Sequence, residues 1–289
     1  MGAETKKTGL VLEGGAMRGM YTAGVLDVFL EYDITFDGVI GVSMGAITGC
    51  SYISGQKGRT IRYNKTYCKD KRYMSFYSLL TTGDLVGNEF CYHTLPEQLD
   101  LYDNEAFKKS KTDFYVTCTN VENGEAEYIK INDMVEEIDY LRASASMPYV
   151  SRIVEIDGKK LLDGGCSDSI PIRTFLEMGY EKNVVILTRP AEYRKKPEKK
   201  GLVRAFYKKY PKFAKTLGSR AEVYNQTMEE LRELEQQGKV FVIRPETSLD
   251  IGRMSHDVKK IEGAYERGRA DGLACLEKLK AWLGAGESC

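Results

Sequence analysis

Hydrophobic and polar positions along this chain switch repeatedly between a period of two and a period near 3.6. Residues 8–12 form a short apolar run, read as a central parallel strand. Residues 20–31 follow, with Met20, Ala23, Val25, Leu26, Phe29 and Leu30 at helical spacing. Residues 36–42 are again apolar and β-prone, and a small-residue helix pattern succeeds them. Residues 59–67 predict a helix of mixed polarity. Residues 73–93 show no regular period and are rich in aromatic and small residues. They line or cover a cleft, or form a surface excursion packed on its own aromatics. Residues 113–119 and 125–131 alternate on either side of Glu122-Asn123-Gly124, a hairpin signal.

Residues 134–144 predict a helix that Met147-Pro148 ends. Residues 152–156 and 159–162 bracket Asp157-Gly158, a second hairpin. Ser169-Ile170-Pro171 opens another helix, with the proline near its first turn. Residues 183–188 are almost continuously apolar, as in a strand buried inside a parallel sheet. An acidic, charged helix over 222–237, a strand over 240–243 and a long helix over 257–283 complete the chain. The order predicts one α/β layer fold.

Three turns in this pattern read as candidates for chemistry. Gly41-Val42-Ser43-Met44-Gly45 joins a strand directly to a helix. So sharp a turn forces Ser43 into a strained conformation and pushes its hydroxyl out at the sheet's C-terminal edge. Gly41 and Gly45 fit because a Cβ there would strike neighbouring backbone. The helix beginning beside Ser43 aims free N–H groups at any anion forming there. A plain strand-to-helix turn with a chance serine is the simpler alternative. Glu13-Gly14-Gly15-Ala16-Met17-Arg18-Gly19 joins the first strand to the first helix. Its ending is not that of a Walker loop, and its glycine spacing is not that of a dinucleotide fingerprint. Beside the serine turn it reads as an oxyanion hole. Asp163-Gly164-Gly165 ends the strand of the second hairpin. It sets an acid facing a cleft with little steric cover, or else is a simple turn.

Composition narrows the classes. The 289 residues carry 42 basic and 42 acidic side chains, so net charge names no partner. No apolar run approaches the roughly 20 residues of a membrane span. The stretch after Met1-Gly2 lacks the apolar core of a signal peptide, and Lys6 stands where a myristoylation signal has Ser or Thr. Seven scattered cysteines without Cys-x-x-Cys read as reduced thiols of a cytoplasmic protein, with no zinc site. Residues 189–220 hold twelve Lys or Arg against Glu192 and Glu198, interleaved with aromatics. They form a solvated face or a surface for anionic lipid headgroups. No nucleic-acid reading module accompanies the charge.

The glycine loop 14–19, the 41–45 turn and the 163–165 block resemble, in order and spacing, the three signature blocks of the patatin-like phospholipase family. The segment Ala143-Ser144-Ala145-Ser146-Met147-Pro148 agrees as well. The resemblance covers roughly residues 8–175 and is nearest to bacterial, single-domain members. Residues 176–289 would complete or flank the same α/β domain. Two positions depart from the family: Ala16, where many members have glycine, and Ile170-Pro171, where many have Asn-Pro.

The resemblance implies a three-layer α/β/α fold with a mostly parallel central sheet. It implies a Ser–Asp dyad of Ser43 and Asp163 that hydrolyses phospholipid or fatty-acyl esters through an acyl-serine. The amides of Gly14, Gly15, Ala16 and Met44 would hold the oxyanion. Arg18 would brace the loop, and Gly41, Gly45, Gly164 and Gly165 would shape the turns. No metal or cofactor is called for, and an anionic membrane is a possible peripheral partner through 189–220. The histidine count agrees: His93 precedes Asp163 and so breaks the Ser-acid-His order of a triad. His256 obeys that order but stands at a helix start, where capping suits it. A Ser-His-Asp esterase or acyltransferase using His256 is one alternative; a non-enzymatic lipid-surface binder is another.

Overall fold

The computed structural model describes residues 6–285. The Met1-Gly2 pair considered above for processing lies outside them. In chain order the elements begin with β1 (Lys7–Leu12), α1 (Gly19–Glu31), β2 (Gly38–Val42), α2 (Met44–Ile53), α3 (Arg59–Tyr67) and α4 (Phe76–Thr82). A π-helical stretch (Phe90–Leu99) leads to α5 (Asn104–Lys109), β3 (Asp113–Asn120), β4 (Ala126–Ile131), α6 (Ile138–Ser144), β5 (Val154–Ile156) and β6 (Lys159–Asp163). The remainder is α7 (Ile172–Glu177), β7 (Tyr180–Ile186), α8 (Lys200–Phe206), α9 (Pro211–Gln236), β8 (Val240–Ile243) and α10 (Val258–Gly284).

One eight-stranded sheet runs in the order β5-β6-β3-β2-β1-β7-β8, with β4 also paired to β3. Strands β3, β2, β1, β7 and β8 are parallel; β4, β5 and β6 join by antiparallel pairing. Alternation along the strands divides the core into layers. Leu10 and Leu12 face one side with Tyr21, Val25 and Phe29 of α1 and Leu276 and Leu279 of α10. Val11 and Ile40 face the other with Phe175 of α7 and Tyr224, Met228 and Leu231 of α9. This is a three-layer α/β/α fold. Both β7 and β8, which lie beyond residue 175, belong to the same sheet as β1.

Register places the site. Val42 of β2 pairs with Thr117 of β3. At the next residue of β3, Cys118, the partners are Asp163 of β6 and Glu127 of β4. Because β4 occupies the other edge of β3 from Phe114 to Thr119, β6 must continue the edge that β2 leaves. The ends of β2 and β6 therefore meet head to head.

Three expectations need correction. The helix expected from residue 134 starts at Ile138. Residues 132–137 turn instead, because Glu137 Oε2 accepts the amides of Asn132 and Asp133, while Asp133 Oδ1 accepts those of Val135 and Glu136. The irregular stretch 73–93 contains α4, capped by Ser75 and stopped at Gly83 with φ +83°. The acidic helix over 222–237 is the second half of the 26-residue α9, begun at Pro211.

Helices α1 and α10 pack backbone to backbone. A Cβ on Gly24 would meet the Tyr265 carbonyl oxygen at 2.1 Å, and one on Gly268 would meet that of Tyr21 at 2.0 Å. Gly263, also on α10, has nothing within 4 Å of such an atom. Helix propensity favours alanine over glycine by about 1 kcal/mol, whereas overpacking costs about 1–3 kcal/mol. Gly263→Ala should therefore stabilise the protein by about 0.5–1 kcal/mol, and Gly268→Ala should destabilise it by about 1–2 kcal/mol. Urea unfolding of the two variants decides it. Equal shifts would refute the close contact.

Candidate active site

Ser43 sits between β2 and α2 with φ +54° and ψ −124°, backbone that L residues rarely adopt. Its neighbours enforce it. A Cβ on Gly41 would lie 2.5 Å from Ala46 Cα, and one on Gly45 would lie 2.4 Å from the Leu12 carbonyl oxygen. The Ser43 amide donates to Ser144 Oγ at 2.8 Å. Ser144 Oγ in turn donates to the Thr117 carbonyl at 2.7 Å. The fully buried Ser144 thus fastens the turn to the point on β3 where β2 stops.

Asp163 closes β6 from the opposite direction. Its amide donates to the Ser146 carbonyl at 2.9 Å. Its carboxylate accepts the Gly165 amide at 2.7 Å. Burial raises the Asp163 pKa above the ordinary carboxylate value; Arg220, the Ser43 hydroxyl, the Gly165 amide and Lys195 pull it back. Ser43 and Asp163 line one cavity of about 410 Å³, together with Gly14, Gly15, Ala16, Arg18 and Gly165. Gly164 packs behind, where a Cβ would meet the Thr117 carbonyl oxygen at 2.2 Å.

The glycine loop is held from beneath by Glu13. Its amide donates to the Ile186 carbonyl at 3.1 Å, prolonging β1 against β7. Its buried carboxylate accepts from the Thr188 amide (2.6 Å), Thr188 Oγ1 (3.0 Å) and Tyr224 Oη (2.8 Å). Above this anchor, the amides of Gly14, Gly15 and Ala16 donate to no group among the described residues. Ala16 has φ +48°, so the loop strains here without a glycine. The Met44 amide begins α2 and belongs to the unsatisfied first turn. Arg18 is 7% exposed, and its pKa falls to about 10 through burial and the nearby Arg189.

An apolar recess also opens at Ser43. Its inner part, about 70 Å³, is lined by Met17, Ile47, Met74, Ala145 and Met147. Beyond lies about 120 Å³ more, walled by Tyr63, Leu95, Met134 and Leu141. Met44, Ile47, Tyr73, Val86 and Tyr92 are common to both parts. The stretch 73–93 therefore lines a cleft with Tyr73, Val86 and Tyr92, while its Phe76, Tyr77 and Leu80 stay exposed.

The histidines stand elsewhere. His256 Nδ1 is hydrogen-bonded to the Cys68 carbonyl, and its ring is not among the cavity's lining. It does not cap α10 either: Asp257 does, accepting the Lys259 amide at 2.9 Å. His93 Nδ1 lies 3.3 Å from Glu97 Oε1, and both residues line the outer part of the apolar recess, which does not include Ser43 in its walls. No group of three or more His, Cys, Asp or Glu among the described residues is placed to hold a metal ion.

Sequence reasoning missed Glu13, Ser144, Thr188 and Tyr224 as supports. It also read 189–220 as outward-facing, whereas Arg189, Lys195 and Arg220 line the cavity. Ser144 lay inside a quoted block, but nothing in its spacing revealed a bond to residue 43.

Comparison with known proteins bears on this geometry. Residues 210–284 match a domain of unknown function, DUF6363. An uncharacterised protein of Escherichia coli (strain K12), YjjU, is 29% identical over 193 residues, covering 65% of this chain and 54% of that protein. Lysophospholipase NTE1 of Candida glabrata is 28% identical over 180 residues, 57% of this chain and 9% of that protein. The matches thus span about half of the first relative and under a tenth of the second. The crystal structure of VipD from Legionella pneumophila aligns over 94% of this chain and 67% of its own, with 13% identity and a TM-score of 0.48. Residues 10–176, which contain the glycine loop, Ser43 and Asp163, match the patatin-like phospholipase family over more than half of the sequence. The chain belongs to the patatin-like phospholipase family.

Proposed function

We propose that the chain is a serine lipid acyl hydrolase of phospholipase A or esterase type, working through Ser43 and Asp163. The observation that carries the reading is the placement of both side chains on one cavity, with the unpaired amides of the glycine loop beside them. In this reading Asp163 accepts the Ser43 hydroxyl proton as Oγ adds to the ester carbonyl carbon. The carbonyl electrons move onto oxygen, facing the amides of Gly14, Gly15, Ala16 and Met44. Collapse of that intermediate expels the alcohol, which takes the proton from Asp163 and leaves an acyl-serine. Water then adds to the acyl carbon, giving its proton to Asp163, and a fatty acid leaves as Ser43 is restored.

The environment of Asp163 suits a base, since a raised pKa makes the carboxylate a better proton acceptor. The apolar recess suits an acyl chain: it begins at Ser43 and continues between Met44, Ile47 and Tyr92. Residues 8–175 supply the dyad, and 176–289 complete the same α/β unit by way of β7 and β8. Substrates are phospholipids or other fatty-acyl esters. The outward lysines of 189–220 would face an anionic membrane. His256 is given no part, because its ring is engaged with the Cys68 carbonyl.

Four measurements follow from this reading. Ser43→Ala and Asp163→Asn should each lower kcat at least about 100-fold on short-chain esters, and Ser43→Ala should abolish fluorophosphonate labelling. His256→Ala should stay within a few fold; a loss above about 100-fold there would replace the dyad with a triad.

The pH profile supplies a second check. With Asp163 as base, kcat/KM falls as pH drops through its free-enzyme pKa, which lies above the ordinary carboxylate range. Arg220→Gln removes the cation that most opposes this rise, so the acidic limb should move to higher pH. An unmoved limb would separate Arg220 from the base.

Stability gives the third. A carboxylate whose folded-state pKa is raised holds its proton longer when folded than when unfolded. Stability therefore falls as pH rises from the unfolded pKa to the folded one and stays lower above it. Asp163→Asn should raise Tm at pH 7 while abolishing activity, and the gap should close at low pH. A Tm well below wild type at pH 7 would contradict the desolvation account. For the membrane, binding to vesicles rich in anionic lipid should exceed binding to neutral ones and fade with salt; equal binding would leave 189–220 as a solvated face.

A further inference from the structure

The polar arm of the cavity holds more positive charge than acyl transfer uses. Arg18, Arg189, Lys195, Arg220 and Arg253 line it, against the carboxylates of Glu13, Asp163 and Glu198. The five come from four separate pieces of chain: the glycine loop, the connection after β7 (Arg189 and Lys195), the middle of α9 and the connection before α10. They act on one another. Arg189 and Arg253 lower the pKa of Arg18, and Arg220 and Arg253 lower that of Lys195, which burial and these neighbours bring to about 7.

The three carboxylates offset this charge only in part. Glu13 is taken up by Thr188 and Tyr224, and Asp163 by Gly165 and Ser43. Glu198 approaches Arg220 no closer than 4.0 Å. The Nε atoms of Arg18, Arg189 and Arg220 are buried with no hydrogen-bond partner among the described residues. Arg18 is more than nine-tenths buried. Buried donors without acceptors are costly to leave so. The side chains are nevertheless held in place. The Arg189 guanidinium stacks 4.4 Å from the Tyr193 ring centre. Lys195 Nζ lies 4.0 Å from that of Tyr224 and donates to Ser169 Oγ at 3.2 Å.

We infer that this cluster binds the phosphate of an acyl-glycerophosphate substrate, with the ester presented to Ser43 and the acyl chain in the apolar recess. A phosphate ester offers several charged acceptor oxygens to guanidinium donors, which match it bidentately. The charged cavity and the apolar recess are distinct spaces that share Ser43 in their walls, so one serine adjoins surfaces suited to the two ends of such a lipid. Arg220 and Arg253 fall within the 210–284 segment that matches a domain of unknown function, and the inference gives that segment a role in choosing substrate. The ester half rests on the hydrolase reading; the anion site does not.

The test uses full-length protein and has two arms. Ser43→Ala, which cannot turn over, is titrated calorimetrically with hexanoyl lysophosphatidate below its micellar concentration, with glycerol 3-phosphate and with inorganic phosphate. Lysophosphatidate should bind tightest and inorganic phosphate weakest. Adding Arg189→Gln and Arg220→Gln should weaken lysophosphatidate about 30-fold or more, and Arg189→Lys should restore part of what Arg189→Gln loses. Arg253→Gln, at an exposed position, repeats the test without threatening the core. In the second arm, kcat/KM for hexanoyl lysophosphatidate is divided by that for the uncharged hexanoylglycerol. The ratio should favour the phosphate ester about tenfold or more and collapse in the Arg variants.

No binding of any phosphate compound, or a ratio the folded variants leave unchanged, would overturn the inference. Inorganic phosphate binding as tightly as lysophosphatidate would assign the site to free phosphate and overturn the headgroup reading. If wild type hydrolyses neither ester and Ser43 resists fluorophosphonate, the hydrolase reading falls, and the calorimetric arm still decides the anion site.

Discussion

The site depends on a single shared edge. Strand β3 receives β2 along its first half and β6 along its second, so two chain ends converge between Thr117 and Cys118. Parallel and antiparallel pairing have to meet there, and neither strand can continue without colliding with the other. Each therefore ends in a sharp turn: one carries Ser43 at φ +54°, and the other carries Asp163 into a short 3-10 turn. The Ser144 hydroxyl bridges the junction, accepting from the Ser43 amide and donating to Thr117. Strain at one residue is tolerable because the sheet, the helix and a buried side chain fix it from three directions.

A second constraint is electrostatic. Bringing Asp163 to this junction buries it, and burial alone would favour its protonated form. The Gly165 amide and the cations Arg220 and Lys195 work against that, so the ionised form gains support from groups outside the core strands. Those cations need support themselves, since they repel one another in a partly desolvated space. Glu13 sits beneath this arrangement. It favours the charged forms of Arg18 and Lys195 while its oxygens anchor the glycine loop to β7 and α9. The loop and the cationic wall are therefore coupled through one buried carboxylate.

How much of this was legible follows from range. The strand-to-helix turn at Ser43, the glycine loop and the hairpin leading to Asp163 are local patterns, and the turns themselves could be read from neighbouring residues. The sheet was legible too, because apolar alternation records which face each strand residue presents. The distant pairings were not. The Ser144 contact spans 101 residues, and that of Tyr224 with Glu13 spans 211. Spacing carries no signal at such separation. The basic stretch misled for a related reason. Its composition suits solvent, and only the path of the chain after β7, folding back over the sheet's C-terminal edge, turns Arg189, Lys195 and Arg220 inward. Helix α4 escaped notice because its outer face keeps Phe76, Tyr77 and Leu80 exposed, which removes the amphipathic period that normally marks a surface helix.

The exposed face of α4 belongs to the same logic as the two-armed cavity. The polypeptide that walls the apolar recess with Tyr73, Val86 and Tyr92 is continuous with the one that shows Phe76, Tyr77 and Leu80 to the outside. One segment thus offers an acyl chain apolar surface both outside and inside the recess. The charged end would meet the cationic wall, where Arg189 and Lys195 are held against Tyr193 and Tyr224. Ser43 stands where the two surfaces join. In the proposed reaction an amphiphile is thus oriented before any bond changes, because each half of it suits only one of the two surfaces that adjoin Ser43. Orientation of this kind is a large part of what positioning supplies to catalysis. Ser43, which both surfaces share, is set in place by the same head-to-head meeting of β2 and β6 that brings Asp163 to the cavity.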